Sequence, residues 1–175
     1  MRFVIGCDFE EFSKYLAKIG QYAAEGQLKK LKAYIDGNLF NLIVIRENDE
    51  IIGHAIWHET DTEEHREGDP RDKEDKEILL GFFGGKKDFV ELHELWLTQE
   101  HREKGYGERF FDFFEEYIRN KGYDSIVFYA FHPAAIHICR KRGYKEAYGL
   151  KEAGPYGEIE TCYAFCLQLQ KKQGK

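Results

Sequence analysis

The sequence predicts an α+β (mixed α/β) protein, a mixed sheet with helices on its faces, and three observations carry that prediction. An apolar-rich segment, Phe89–Leu97, leads through a glycine-containing loop into the amphipathic stretch Glu108–Gly122. Ser125–Phe131 is a continuous apolar run, which is typical of a central strand. Short apolar segments bounded by turn residues stand at both ends of the chain. The expected order of elements is β-α-α-β-β-β-α-β-α-β-β.

The first third of the chain predicts a strand, two helices and a hairpin. Asp8 followed by Glu11 resembles an N-terminal capping box, and apolar residues then recur at helical spacing. A glycine at position 37 marks the expected end of the second helix. The elements are the strand Phe3–Ile5, a helix carrying Phe12–Ala23, a helix carrying Leu28–Ile35, and hairpin strands Phe40–Ile45 and Ile51–Trp57.

Residues 59–77 are expected to form a charged loop, inserted in a single domain that spans residues 1–175. The segment contains ten acidic and four basic side chains, a difference of six, which equals the formal net charge of −6 for the whole chain. The remainder is therefore balanced. A loop of this length inside a compact domain is usually either mobile or functional.

After this loop, Ile78–Phe83 is expected to extend a strand, before the strand Phe89–Leu97 described above. The amphipathic helix that follows is expected to bury an apolar stripe at positions i, i+3, i+4, i+7 and i+8 and to end at Gly122. The stripe consists of Phe110, Phe113, Phe114, Tyr117 and Ile118.

The last part of the chain predicts one short helix and two strands. His132-Pro133 opens the helix, since proline is favoured at the first helical position. The helix is expected to end at Arg142-Gly143. The expected strands are Tyr144–Leu150 and Glu158–Leu169, with a turn at residues 154–157 between them.

The segment Thr98–Gly107 is a candidate site for a phosphate or pyrophosphate. A junction of strand, loop and helix gathers unpaired backbone N–H groups at the positive end of a helix dipole. Arg102 and Lys104 add two cations to the turn. Gly105 and Gly107 let the main chain approach an anion without a side chain between them.

Composition excludes several classes of function. A net charge of −6 and a pI near 5.7 leave no overall basic footprint for nucleic acid. No segment approaches the roughly 18 apolar residues that a membrane span needs, and the N-terminal apolar run is too short for a secretory signal. The four cysteines are scattered without metal-finger spacing. They are interpreted as free thiols of a cytoplasmic protein, and no metal is expected.

Two motifs resemble the GNAT superfamily of N-acetyltransferases. The segment Arg102-x-x-Gly105-x-Gly107, which follows a strand, resembles the family signature Arg/Gln-x-x-Gly-x-Gly/Ala. A later helix that runs into Gly143-Tyr144 is similar to the family helix that ends in Gly-Phe or Gly-Tyr. Each motif alone has low specificity, but both together in this order are specific.

The alternative interpretation of the glycine motif is a dinucleotide-binding fingerprint. Its third glycine position is occupied by Phe110. Asp124 precedes the next strand rather than following it, where a ribose would be bound. Nucleotide-dependent dehydrogenase chemistry is therefore disfavoured.

The resemblance, which covers about Phe89 to Ala147, implies a central mixed, mostly antiparallel sheet flanked by helices. It also implies acetyl-CoA as co-substrate and a primary amine of a small molecule or peptide as acceptor, with direct attack in a ternary complex. The charged loop would favour a cationic acceptor if it borders the site, and a detached loop is the alternative. A non-catalytic CoA-binding or regulatory module of the same fold is the competing hypothesis. The final strands could pair across a homodimer interface.

The resemblance further implies which residues contact the cofactor. The strand edge Leu95–Leu97 would hydrogen-bond the pantetheine arm, and the Leu97 amide would polarise the thioester carbonyl. His132 stands where many members have an asparagine near pantetheine, and its imidazole could still donate a hydrogen bond. Backbone amides of Glu103, Gly105, Gly107 and Glu108 would hold the pyrophosphate, and the whole implied cofactor set is Leu95, Trp96, Leu97, Arg102, Glu103, Lys104, Gly105, Tyr106, Gly107, Glu108 and His132.

An alkylamine is protonated at neutral pH, so the reaction needs a base. Glu91 is the first candidate, because some family members keep a catalytic glutamate at that position, and Glu94 is the second. On a regular strand the two side chains point to opposite faces, so only one is expected to meet the acceptor. Partial burial is expected to raise the pKa of that glutamate. An exposed glutamate without a catalytic role is an equal alternative for either residue.

Cys139 stands where many relatives carry the tyrosine proposed to protonate the CoA thiolate. It is therefore a candidate acid, although a buried helix cysteine is more simply a core residue. Tyr129 or solvent is the substitute. The adjacent Arg140, Lys141 and Arg142 are interpreted as a solvated helix end that complements the helix dipole, or as contacts to CoA phosphates.

Overall fold

The computed structural model describes residues 1–153 and 159–169, and its elements follow the predicted order with one additional helix. The predicted turn at residues 154–157 lies outside the described residues. The elements are β1 (Arg2–Ile5), α1 (Phe9–Lys18), α2 (Gln27–Asp36), β2 (Asn41–Glu47), β3 (Glu50–Asp61), α3 (Lys73–Phe83), β4 (Asp88–Leu97), a 3₁₀ turn (Gln99–His101), α4 (Tyr106–Asn120), β5 (Ser125–Ala130), α5 (Pro133–Lys141), β6 (Lys145–Ala153) and β7 (Ile159–Gln168).

The strands form one seven-stranded sheet in the order β1-β2-β3-β4-β5-β7-β6. Strands β4 and β5 run parallel, whereas β1 with β2, β2 with β3, β5 with β7 and β6 with β7 are antiparallel. The predicted mixed, mostly antiparallel sheet is therefore confirmed. The parallel ladder places Val90, Glu91 and Leu92 of β4 opposite Ile126, Val127 and Phe128 of β5.

The segment Ile78–Phe83 is helical, so the prediction of a strand there is wrong. It forms the second half of α3. The Asp72 carboxylate caps the N-terminus by accepting from the Asp75 amide at 2.8 Å, and Gly84 ends the helix with a φ of 74°. Both are ordinary helix boundary signals. An α-helix is thus added between the third and fourth strands.

The predicted charged loop, residues 59–77, is shorter than expected. Glu59–Asp61 belong to β3, and Lys73 begins α3. The residues between β3 and α3 make backbone hydrogen bonds. The Arg71 amide donates to the Glu63 carbonyl at 3.0 Å, and the Thr62 amide donates to the Lys87 carbonyl at 3.2 Å. The segment is packed against its own unit rather than detached.

The chain divides into two compact units, Met1–His58 with His93–Tyr106, and Glu59–Leu92 with Gly107–Lys175. In the first unit, α1 and α2 pack against the β2–β3 hairpin. In the second, α3 packs against β4, β5 and β7. The buried core of the first is Phe12, Tyr15, Leu16, Leu31, Phe40, Leu42, Val44 and Ile56, and that below α3 is Leu79, Phe82, Phe89, Val127, Ala164 and Cys166.

The buried face of helix α4 is rotated relative to the predicted stripe. Phe111, which the stripe omits, is fully buried, with its ring 5.8 Å from that of Phe128 and 5.9 Å from that of Tyr144. Phe113 and Tyr117 are only half-buried and stack on each other at 5.8 Å. The prediction that Phe113 and Tyr117 are buried is therefore wrong, and Phe111 lies on the buried face in their place. Among the described residues, no helix has the length and apolar character required to cross a bilayer.

Candidate functional site

The turn between β4 and α4 has an unusual backbone. Glu103 adopts a φ of 60° and Gly105 a φ of 74°, both in the left-handed region. Helix α4 begins at Tyr106, so the amides of Gly107 and Glu108 belong to its first turn. Such amides lack acceptors within their own helix. These are the residues that the sequence predicts as the pyrophosphate site.

Arg102 supports the turn from within rather than extending freely into solvent. Its Nε donates to the Leu97 carbonyl at 3.0 Å, and its guanidinium lies 4.9 Å from the ring centre of Trp96. The stacking is a cation–π contact. Lys104 is exposed on the turn. Of the two predicted cations, one is therefore engaged with the end of β4 and the other faces solvent.

Four side chains hold the turn against the end of β2, and we call them the Glu47 clamp: Glu47, Thr98, His101 and Tyr106. The Tyr106 hydroxyl donates to Glu47 Oε1 at 2.5 Å, and His101 Nε2 lies 3.4 Å from Glu47 Oε2. His101 Nδ1 pairs with the Thr98 hydroxyl at 2.7 Å. The hydrogen bond from Tyr106 is the main reason that the pKa of Glu47 lies below its ordinary value. Tyr106 therefore stabilises the turn through its hydrogen bond to Glu47.

The two glycines of the turn are required for different structural reasons. At Gly105 the positive φ favours glycine, and nothing within 4 Å would meet a Cβ. At Gly107 a Cβ would lie 3.0 Å from Ile138 Cδ1. The absence of a side chain at Gly107 therefore allows the first turn of α4 to approach α5 closely.

The end of β4 lies close to β3 at one glycine. A Cβ on Gly53 would stand 2.5 Å from the Trp96 carbonyl oxygen and 2.8 Å from Leu97 Cδ2. The Thr98 amide donates to the Ile52 carbonyl at 2.9 Å, just beyond the strand. The predicted pantetheine edge, Leu95–Leu97, is thus held on its β3 side by direct backbone approach, and its side chains are half-buried.

Glu94 is the centre of a polar network in the first unit. Its Oε1 accepts from His54 Nε2 at 2.8 Å, and its Oε2 accepts from the Tyr22 hydroxyl at 2.5 Å. The opposite ring nitrogen of His54 pairs with the Tyr15 hydroxyl at 3.2 Å. His54 is fully buried, whereas the Glu94 side chain keeps 19% of its surface exposed. The carboxylate is therefore bound by two donors and still reachable from solvent.

The expectation of a raised pKa is wrong for Glu94. Burial is the largest single influence and raises its pKa. The hydrogen bonds from His54 and Tyr22, together with the electrostatic influence of His54 and His93, outweigh that burial. The pKa of Glu94 consequently lies below its ordinary value, and the residue is a carboxylate at neutral pH.

Glu91, the first base candidate, is engaged in a buried ion-pair cluster of the second unit. Its Oε2 lies 3.2 Å from Arg71 Nη2, and Arg71 Nη1 binds Asp75 Oδ2 at 2.7 Å. Arg71 also donates from Nε to the Asp61 carbonyl at 2.7 Å. Side-chain exposure is 9% for Glu91 and 1% for Arg71. The Glu91 carboxylate therefore balances a buried guanidinium, whereas the Glu94 side chain keeps 19% of its surface exposed.

Of the two candidate acids, Cys139 is buried and Tyr129 is half-buried. Cys139 is fully buried in α5, and that burial raises the pKa of its thiol to about 12. The Tyr129 hydroxyl donates to Asp75 Oδ1, and burial raises its pKa as well. The interpretation of Cys139 as a core residue agrees with its position.

His132 caps α5 rather than standing free. Its Nδ1 accepts from the Ala134 amide at 3.2 Å, so Nε2 is the nitrogen that can donate outward in the neutral ring. At the other end of the helix the cations are ion-paired. The pairs are Arg140 with Glu146, Lys141 with Glu108, and Arg142 with Asp112 and Glu115.

Sequence reasoning missed Tyr22, Arg71 and Glu47. Tyr22 has a positive φ of 54° in the segment before α2, and no motif marks it. Arg71 carried no clear signal, because it lies just before the N-cap Asp72 of a helix that the sequence did not predict. Glu47 gave no local signal, since its partners lie more than fifty residues away along the chain.

The fold is a mixed sheet whose fourth strand leads through a glycine turn into a helix. The family model described as the acetyltransferase (GNAT) family matches residues 9–144. The chain therefore belongs to the GNAT acetyltransferase family, as the two motifs indicated. No curated protein matches the sequence.

Solved structures show the same fold at low identity. The Drosophila melanogaster polyamine N-acetyltransferase, which forms N-acetylagmatine, is 12% identical, with a TM-score of 0.66 over 96% of this chain and 100% of that one. A putative acetyltransferase from Salmonella typhimurium with acetyl-CoA is 17% identical, with a TM-score of 0.60 over 98% and 96%. An N-acetyltransferase from Staphylococcus aureus Mu50 is 18% identical, with a TM-score of 0.63 over 97% and 100%.

Proposed function

We propose that this protein transfers an acetyl group from acetyl-CoA to a primary amine, with Glu94 as the carboxylate that faces the acceptor. The observation that carries the proposal is the Glu94 network, a partly exposed carboxylate on the strand that leads into the glycine turn. Membership of the GNAT acetyltransferase family supports the reaction class.

The donor is expected to contact consecutive parts of the chain. Amides of Glu103, Gly105, Gly107 and Glu108 would bind the pyrophosphate, because left-handed and helix N-terminal amides attract anions. The edge of β4 at Leu95–Leu97 would pair with pantetheine. The Leu97 amide would donate to the thioester oxygen as it gains charge.

The proton balance of the reaction requires a base, and we propose Glu94 for that role. An alkylammonium carries three protons on nitrogen. One passes to the Glu94 carboxylate and then to solvent, which frees the lone pair for attack on the thioester carbon. As the C–N bond forms and the C–S bond breaks, the second proton is lost from nitrogen and reaches the CoA thiolate through solvent. The third remains in the amide product.

A small cationic amine is the favoured acceptor. An ionised carboxylate attracts an ammonium group, and the pKa of Glu94 is held low. The fruit-fly enzyme of the same fold acts on polyamines and forms N-acetylagmatine, which is consistent with this class of acceptor. A ribosomal-protein-alanine N-acetyltransferase from Brucella melitensis has a TM-score of 0.63, so a peptide amine must also be tested.

Acetyl-CoA turnover should be measured as free-thiol release with diamines, polyamines, guanidino-amines, amino acids and peptides with free α-amines. Transfer to a small cationic amine is expected, with kcat reduced at least tenfold in Glu94→Gln. The matched control is Glu100→Gln, an exposed glutamate a few residues further along the chain. Full activity of the Glu94 variant, or the absence of transfer to any amine, would contradict the proposal.

A CoA-binding protein without catalysis is the second candidate, and the burial of Cys139 favours it. The thiol occupies the position of the expected acid, yet it is fully buried. Calorimetric binding of CoA without turnover of any amine would select this alternative.

A further inference from the structure

The polar network around Glu94 contains two residues that hydrogen-bond its carboxylate. Tyr22 and His54 come from different elements and each donates one hydrogen bond to a different oxygen of the same carboxylate. An ionised carboxylate accepts hydrogen bonds at about four lone-pair positions. Two of them are thus occupied by protein donors, and the exposed part of the group leaves room for a donor from solution.

Tyr22 is held in a backbone conformation that is unfavourable for a residue with a side chain. Its φ of 54° lies in the left-handed region, two residues after Gly20, which has a φ of 72°. Such conformations persist only when the surroundings fix them, and they occur often at functional sites. The hydroxyl of Tyr22 reaches Glu94 Oε2 from this position.

His54 is fixed from both sides of its ring. Its Nε2 must carry a proton in order to donate to an ionised carboxylate, and Nδ1 faces the Tyr15 hydroxyl at 3.2 Å. The rings of Phe12 and Tyr15 pack edge-on against it at 5.3 and 5.5 Å. The imidazole has no solvent exposure, and these contacts fix its ring in the orientation that hydrogen-bonds Glu94.

We propose that Tyr22 and His54 are positioning residues that hold Glu94 as a charged carboxylate for a protonated amine group of the acceptor. The inference rests on the proposed acetyltransferase function and deepens it by naming the residues that fix the carboxylate for a cationic acceptor. Two fixed donors orient the carboxylate so that its remaining lone pairs point to the accessible side, where an ammonium group supplies the third and fourth hydrogen bonds.

The titratable and charged groups that act on Glu94 come from three elements and one connecting segment. They are His54 from β3, Tyr15 from α1 behind it, Tyr22 from the segment before α2, and His93 beside Glu94 on β4. The hydrogen bonds from His54 and Tyr22 lower the pKa of Glu94, whereas burial raises it. Removal of either donor should therefore raise that pKa.

The test compares Tyr22→Phe, His54→Leu and His54→Gln with wild type. In the first two variants kcat/KM for the amine should fall by about tenfold to a hundredfold, since a hydrogen bond to a charged group is lost. The acid limb of the pH profile should move to higher pH, and KM for acetyl-CoA should stay unchanged. His54→Gln keeps an N–H donor and should recover most of the activity.

Matched controls are His58→Gln and Tyr34→Phe. His58 is also a buried histidine of β3, but its ring stacks on Phe40 at 5.0 Å, and Tyr34 packs on the same phenylalanine. An unmoved acid limb in Tyr22→Phe and His54→Leu, or losses no larger than those of the controls, would overturn the inference. Tyr22→Phe removes a single oxygen and is the variant least prone to misfold.

A carbon-13 NMR titration of the Glu94 carboxyl provides a readout that does not depend on turnover. Its midpoint should lie at higher pH in His54→Leu than in wild type, and an identical midpoint would overturn the inference. If no amine is acetylated, the proposed function fails while this titration still decides the roles of Tyr22 and His54.

Discussion

At the residue scale, Arg71 compensates two buried carboxylates at once. Its guanidinium binds Asp75 at 2.7 Å and Glu91 at 3.2 Å, and all three side chains are at most 9% exposed. A buried ion pair adds little to stability relative to apolar residues, but the loss of one partner leaves charge without compensation. Arg71 is therefore a point where the fold is vulnerable.

Arg71→Met is expected to lower the free energy of unfolding by about 3–5 kcal/mol at neutral pH. Urea denaturation measures this loss. Arg66→Met, at an exposed site of the same segment, should change stability by less than about 0.5 kcal/mol. A loss in Arg71→Met that equals this control would contradict the interpretation.

Substitution of Cys139 distinguishes a catalytic acid from a core residue at this position. Because its thiol is fully buried, Cys139→Ala should leave kcat and its pH dependence unchanged, while stability falls by about 1 kcal/mol from the lost packing. Steady-state kinetics and thermal unfolding of the same preparation separate the two. A tenfold loss of kcat in a folded variant would instead identify Cys139 as the acid.

The sequence allowed the position of the glycine turn to be predicted, because a local motif defines it. The burial of Cys139 agrees with one of the two interpretations that its place in the helix allowed. The partners of Glu94 do not, because Tyr22 and His54 lie 72 and 40 residues away along the chain. The choice between Glu91 and Glu94 depended on Arg71, whose partners are fixed only by tertiary packing.

At the scale of elements, helix α3 shows how a short apolar run misleads. Ile78–Phe83 is compatible with a buried strand or with a helix, and periodicity alone does not distinguish them. The sequence signals that favour a helix are Asp72, which caps its N-terminus, and Gly84, which ends it with a positive φ. By contrast, the presence of α1 with its Asp8 cap and of α4 with its periodic apolar residues was predictable, although α1 ends at Lys18 rather than reaching Ala23.

Close approach of β3 and β4 at Gly53 supports the strand edge Leu95–Leu97. A Cβ there would stand 2.5 Å from the backbone oxygen of Trp96, which cannot move aside as a flexible side chain can. Gly53→Ala should therefore cost about 1–3 kcal/mol of stability. If this edge binds pantetheine, KM for acetyl-CoA should also rise.

Gly81→Ala is the matched control for Gly53→Ala. Gly81 lies within α3, and nothing within 4 Å would meet its Cβ. The substitution should stabilise the protein by up to about 1 kcal/mol through helix propensity. Chemical denaturation of both variants measures the contrast, and an equal effect of the two alanines would contradict the role of close packing at Gly53.

At the scale of the whole molecule, the sheet and the family were predictable, whereas the division into units was not. The motifs between Phe89 and Ala147 were sufficient to define the family. Met1–His58 and His93–Tyr106 pack together as one unit, and this grouping depends on tertiary packing between distant segments, which no sequence pattern records. The charged segment after β3 belongs to the second unit through Arg71, which composition alone did not indicate.

Buried thiols make the folded state sensitive to alkaline pH. Burial raises the pKa of Cys139 to about 12 and that of Cys166 to about 11, from an ordinary value of 9.0. The unfolded chain therefore loses these protons first as the pH rises. The contribution of the protonated thiols to the free energy of unfolding is fully present below pH 9.0. It is lost as the pH rises through the raised pKa values, because unfolding is then coupled to proton release.

Cys139→Ala is expected to flatten that decline. Each thiol that stays protonated only in the folded state contributes a slope of up to about 1.4 kcal/mol per pH unit. Buried tyrosines add to the decline at higher pH in both proteins, so the informative quantity is the difference between wild type and variant. In urea denaturation at pH 8, 9, 10 and 11, the unfolding free energy of wild type should fall relative to that of Cys139→Ala as the pH rises, so that the initial advantage of wild type shrinks and then reverses. Parallel curves would show that the Cys139 thiol ionises as readily in the folded protein as in the unfolded chain.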